Sequence, residues 1–282
     1  MQGVEIKKVL AAVDFSEWTA PVLRVGAELA RRYGAALSAL YAERFLPPPY
    51  FTESEIEYVA EFLDRQRQAA RQHLHQQVRE ILGPTAAQPL FAEAAPVEGI
   101  LESARATAAD LLVLGSHGRS GLNRLLMGSV AEKVVRQTQI PVLVVKVEAP
   151  LSFQRLLCPV NYTPVAMEAL RHAVDRASRS SAELVVISVE ERGEAARRHE
   201  HEDQLRALIP QPLQDRCRLR PVARQGEAAE QILHLAAEEH SDLLVIGTQH
   251  RPLLEATILG TTSVRVMRHA PCSVLTVSRP SA

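Results

Sequence analysis

Gly115, Gly118 and Gly128 are spaced as Gly-x2-Gly-x9-Gly, and Ser129 follows directly. The apolar run Leu111 to Leu114 before them reads as a buried strand, and Val130, Val134 and Val135 behind them open a helical pattern. Glycine at the end of a strand lets backbone approach a ligand without a Cβ between them. A helix start adds unpaired amides and a favourable dipole for an anion, with Ser129 placed to cap the helix or to donate to that anion. The group therefore reads as a phosphate cradle. Any one of these glycines is explained as well by a tight strand-to-helix connection. No Gly-Lys pair of a P-loop is present, and no Gly-x-Gly-x-x-Gly follows a strand. Asp14, at the end of an earlier apolar strand, offers a carboxylate that accepts from hydroxyls or amines, and its competing role is a helix N-cap, shared with Ser16.

The elements that must position these residues alternate. Strands are expected at Lys7 to Val13, Ala36 to Ala42, Gln88 to Ala94, Asp110 to Leu114 and Val142 to Val147. Helices are expected from about Glu17 to Tyr33, where Val22, Val25, Leu29 and Ala30 share a face, over a long stretch from Ile56 to Ile81 stopped by Gly83 and Pro84, at Val97 to Ala108, and at Ser129 to Thr138. A proline-rich loop, 47–50, precedes the long helix. Strand and helix in turn imply a doubly wound parallel α/β sheet, whose ligands sit beyond the carboxyl ends of the strands.

After Pro150 the pattern begins again. ADLLVLGSHGR at 109–119 aligns without gaps on SDLLVIGTQHR at 241–251, and Gly128 and Ser129 fall on Gly260 and Thr261 at the same offset of 132 residues. The expected organisation is two tandem copies, 1–148 and 151–282, each a five-stranded parallel sheet flanked by helices. The second copy departs from the first: Asn161 stands for Asp14, His250 for Gly118, and Pro252 removes a backbone donor, while Gly247, Gly260, Thr261 and the strand end Val189 are kept. Its middle, Gly193 to Ile209, reads as one polar helix.

With Ser129 at its end, the glycine set resembles the signature of the universal stress protein family, whose ATP-binding members carry Gly-x2-Gly-x9-Gly-[Ser/Thr], and the resemblance spans every element twice. It implies ATP, with or without magnesium, in the first copy. Asp14 would contact the nucleoside, Ala42 would meet adenine through backbone groups, and Val13 and Leu114 would wall the base. Gly115, Gly118, Gly128, Ser129 and the amide of Val130 would hold phosphates. His117 and Arg119 flank the loop, and Arg119 is either a partner of the triphosphate or a solvated side chain. In the second copy Asn161, Val189, Gly247, Gly260 and Thr261 leave open ATP, a smaller anion or nothing. Family members pair their last strands across a dimer, so Val142 to Val147 and Ser273 to Val277 are expected to pair within this chain as a pseudo-dimer, with a further homodimer as an open alternative.

A net charge of -1 gives no pull toward nucleic acid or anionic membrane, and no apolar stretch nears the roughly 20 residues of a membrane span. A cytoplasmic protein is expected. Cys158, Cys217 and Cys272 show no metal-like spacing and read as reduced thiols, two of them on buried strands. The pairs His73/His75 and His199/His201 read as solvated helix surface rather than metal ligands. No Ser-His-Asp or Cys-His arrangement is apparent. The leading expectation is a nucleotide-dependent regulator, and the alternatives are a slow ATPase or ATP-dependent enzyme, for which the Ser-Gly-Gly-x-Asp-Ser and His-Ile-Gly-His motifs of adenylating proteins are missing, and a nucleotide-free interaction scaffold.

Overall fold

The structure, a computed structural model, describes residues 3–44, 56–118, 127–146, 149–190, 198–253 and 256–278. In the first half β1 (Lys8–Val13), α1 (Thr19–Tyr33), β2 (Ala36–Ala42), α2 (Ile56–Leu82), β3 (Gln88–Ala92), α3 (Pro96–Thr107), β4 (Leu111–Gly115), α4 (Ser129–Gln137) and β5 (Val142–Val145) follow one another. The second half runs β6 (Arg155–Pro159), α5 (Pro164–Ser180), β7 (Glu183–Glu190), α6 (Arg198–Ala207), α7 (Gln211–Gln214), β8 (Arg218–Gln225), α8 (Ala228–Glu238), β9 (Leu243–Thr248), β10 (His250–Leu253), β11 (Ala256–Leu259), α9 (Thr261–His269) and β12 (Ser273–Ser278).

Strand alternation decides the layers. In β4, Leu111 and Val113 join the core beneath α1, α2 and α5, whereas Leu112 and Leu114 join the core beneath α3, α4, α8 and α9. Within each half the strands are parallel, in the orders β3-β2-β1-β4-β5 and β8-β7-β6-β9-β12. The two five-stranded units are not separate sheets. Val144 and Leu143 of β5 pair antiparallel with Val274 and Leu275 of β12, and one ten-stranded sheet results. Both strands are apolar and would otherwise be open edges, so their pairing removes a site of association. Thr276 Oγ1 donates to Val142 O at 3.2 Å across the seam.

Local differences from the expected elements have local causes. α1 begins at Thr19 rather than near Glu17, because Asp14 Oδ1 accepts from the Ser16 amide (3.1 Å) and Ser16 Oγ accepts from the Trp18 amide (3.3 Å), which folds the intervening residues into a turn. Of the expected Gly193 to Ile209 helix, 193–197 lie outside the described residues; the rest is α6, which ends at Ala207 with α7 behind it, and this part is not polar throughout, since Leu205 and Ile209 are buried. The hairpin of β10 and β11 was not anticipated. All three cysteines are buried, but only Cys158 lies on a strand. The proline loop 47–50 lies outside the described residues.

Candidate functional site

At the carboxyl ends of β1, β2 and β4 the sheet opens into a cleft of about 290 Å³. It is lined by Val13, Asp14, Ala42, Leu114, Gly115, His117, Gly118, Gly128, Ser129 and Val130, so every residue singled out in the first half meets there except Arg119, which lies outside the described residues. The parallel register of β1 on β4, Val9 beside Leu111, brings the two distant segments to one edge.

The glycines act through closeness, since none of the three is in the left-handed region. A Cβ on Gly115 would sit 2.8 Å from Trp18 Cβ, and one on Gly128 would sit 3.1 Å from Ser116 O. These two therefore serve packing of the loop and of the start of α1, which is the plain structural explanation. Gly118 differs, because a Cβ there would lie 2.6 Å from Asp14 Oδ2, inside the cleft. That carboxylate is anchored by its other oxygen, which accepts from the hydroxyl of Ser16 at 2.5 Å as well as from its amide. Neither Asp14 nor Ser16 caps α1, whose N-cap is Trp18. Ser129 does not cap α4 either: the N-cap is Gly128, and no side-chain cap bond is made. The amides of Ser129, Val130 and Ala131 thus open the helix toward the cleft without intrahelical partners.

One negative side chain stands in the first turn of α4. Glu132 accepts from Arg268 Nη2 of the second half at 2.8 Å and from Arg136 Nη2 at 2.7 Å. Arg268 first, and then Arg136, hold its carboxyl below the ordinary glutamate value. The charge is thereby offset by two cations at the place where an anion would otherwise be repelled.

Trp18, Thr19, Val22, Pro96 and Ile100 also line the cleft, and sequence reading missed them. Trp18 is the only tryptophan of the chain. Its Nε1–H donates to Ser116 Oγ at 3.0 Å, and Ser116 Oγ is 3.1 Å from His117 Nδ1. Its position four residues beyond Asp14, at the mouth of a strand-to-helix turn, was the available signal. Pro96 at the first position of α3 was another.

The second half has a cleft of about 360 Å³ at the equivalent place, which brings together Asn161, Val189, Gly247, Gly260 and Thr261. A Cβ on Gly247 would lie 2.7 Å from Val165 O, so this glycine packs α5, as Gly115 packs α1. His250 and Pro252 belong to β10.

Other constellations are not gathered into such a site. His73 stands edge-on to Phe15 at 4.5 Å, and His201 Nε2 is 3.2 Å from Glu190 Oε1. Among the described residues no three His, Cys, Asp or Glu side chains are grouped to hold a metal ion. Burial pushes the thiols of Cys158, Cys217 and Cys272 up, the last to about 12, which keeps them protonated and unreactive near neutral pH. Among the described residues no helix is long and apolar enough to cross a membrane.

The sequence matches the universal stress protein family twice, over residues 5–146 and 152–278. It is 32% identical over 143 residues to a universal stress protein of Methanocaldococcus jannaschii, an alignment covering 50% of this chain and 82% of the relative. A universal stress protein of Mycolicibacterium smegmatis is 25% identical over 287 residues, covering 95% of this chain and 96% of its own. The crystal structure of a universal stress protein from Archaeoglobus fulgidus superposes with a TM-score of 0.73 at 20% identity, over 96% of this chain and 98% of the other.

Proposed function

Because this chain belongs to the universal stress protein family in both halves, we propose that it is a nucleotide-binding regulator whose first half holds ATP. The observation that carries this reading is the meeting of Asp14 Oδ2 with the Cβ-free face of Gly118 in a cleft that ends on the open amides of α4. The apolar wall of Val13 and Leu114, with the backbone at Ala42, suits a purine. Asp14 follows Val13 of that wall and turns Oδ2 toward Gly118, so its acceptor suits a ribose hydroxyl. The amides of Ser129 and Val130 and the hydroxyl of Ser129 suit phosphate oxygens, and the helix dipole adds about 0.3 to 1 kcal/mol per favourable charge. Magnesium would accompany the triphosphate rather than occupy a cage of protein ligands. Arg119 remains a candidate partner of the triphosphate, and the domain limits 1–148 and 151–282 are the proposed units.

Equilibrium dialysis of the full chain against ATP tests this reading, and one bound ATP that Asp14→Ala removes is the expected result. No binding in either half would leave an interaction scaffold. Turnover above about 1 per second with saturating ATP and magnesium, the lower range of ordinary enzyme rates, would replace the regulator by an enzyme.

A further inference from the structure

The two halves repeat one hydrogen-bonded turn with opposite chemistry at its tip. Asp14 Oδ1 accepts from the Ser16 amide at 3.1 Å and the Ser16 hydroxyl at 2.5 Å, and Asn161 Oδ1 accepts from the Thr163 amide at 3.4 Å and the Thr163 hydroxyl at 2.7 Å. The residue between is left-handed in both, Phe15 with φ 63° and Tyr162 with φ 59°. Such a conformation costs a bulky side chain about 1–3 kcal/mol, so its recurrence marks a turn that both halves maintain.

The second terminal atom is where they part. In Asp14 it is Oδ2, which faces Gly118 in the cleft and accepts hydrogen bonds. In Asn161 the backbone N–H of Thr163 can only donate, so the atom it meets must be the oxygen, and the other terminal atom is the NH2 group. That group only donates. An acceptor carrying negative charge in the first cleft is therefore replaced by a neutral donor in the second.

The rest of the second cleft agrees with this exchange. Among the described residues no charged side chain lines it, and the first turn of α9 carries no acid, whereas α4 carries Glu132. Val160, Ile187 and Ile246 supply an apolar wall. We infer that the second cleft is a site for a nucleotide that carries a further phosphate on its 2′ or 3′ ribose hydroxyl, with the amide of Asn161 donating to an oxygen of that phosphate at the place where Asp14 takes a free hydroxyl. The assignment rests on the reading that Asp14 meets the sugar. A phosphate at the equivalent position of the first cleft would face the Asp14 carboxylate and be repelled.

Calorimetric titration of the full chain with adenosine 3′,5′-bisphosphate tests it, in the unchanged protein, in Asn161→Asp and in Asp14→Asn, with ATP titrated separately. The bisphosphate is expected to bind, and Asn161→Asp, isosteric and exposed, should weaken it about tenfold or more while the melting temperature holds. Asp14→Asn should leave the affinity that depends on Asn161 within about twofold and, with the repelling carboxylate gone, should let the first cleft take the bisphosphate as well. Absence of bisphosphate binding, or binding lost in Asp14→Asn and intact in Asn161→Asp, overturns the inference. A chain that takes the bisphosphate through Asn161 but takes no ATP would instead end the reading of the first cleft alone.

Discussion

Gly118 has no room for a side chain because Asp14 Oδ2 occupies it: the two meet at 2.6 Å from the position of a Cβ. Gly118→Ala should therefore displace the Asp14 carboxylate, against its bonds to Ser16, rather than the backbone, which is not left-handed there. ATP affinity should fall about tenfold, about 1.4 kcal/mol, with the melting temperature nearly unchanged. Gly118→Asp adds a like charge and should abolish binding, which dialysis or calorimetry would read. Unaltered affinity in both variants would place the phosphates elsewhere.

Ser116→Ala removes the acceptor of the buried Trp18 indole N–H. An unsatisfied buried donor costs about 1–3 kcal/mol, and urea unfolding followed by the fluorescence of this only tryptophan would measure it. Because Trp18 lines the first cleft, ATP should also change its emission in the unchanged protein.

Two contacts between the halves should differ sharply in worth. Leu275 is fully buried opposite Leu143 in the central strand pair, and Leu275→Ala should cost about 2–5 kcal/mol. Arg268, whose side chain is 47% exposed, pairs with Glu132, and Arg268→Ala should cost less than about 1 kcal/mol. Denaturant midpoints of the two variants check this order.

His172 is buried on α5, and burial, opposed in part by Glu168, lowers its pKa below the ordinary 6.5. The unfolded chain then binds the proton more readily than the folded one, so stability rises with pH through this window and is lost as pH falls from 6.5 toward the folded value. His172→Leu should flatten that part of the stability profile. An unchanged slope between pH 6.5 and 5, measured by urea unfolding, would assign the dependence to other groups.

The alternation of strands and helices was legible in the sequence because periods of 2 and 3.6 are local properties of a few consecutive side chains. Ala36–Ala42 has the bounds its pattern implies, and the long helix from Ile56 ends one residue past the expected Ile81. The repeat was legible for the same reason, residue against residue. The surroundings of the glycines were only partly so: a Cβ on Gly115 or Gly128 would meet packed neighbours, and Gly118 faces Asp14, which follows another strand.

The sequence by itself determined the strand-helix alternation, the doubling and part of the set of residues that gather at the strand ends, though not the β10–β11 hairpin. Tertiary structure alone decided that Trp18 and Ile100 line the first cleft and that Asp14 and Asn161 turn opposite chemistry toward their clefts, and it gave the register, Val144 beside Val274, of the strand pairing that the family resemblance implied. The physical reason is that these depend on strand register and on the hydrogen bond made by one terminal atom, relations between residues distant along the chain or in the fold that no local pattern encodes.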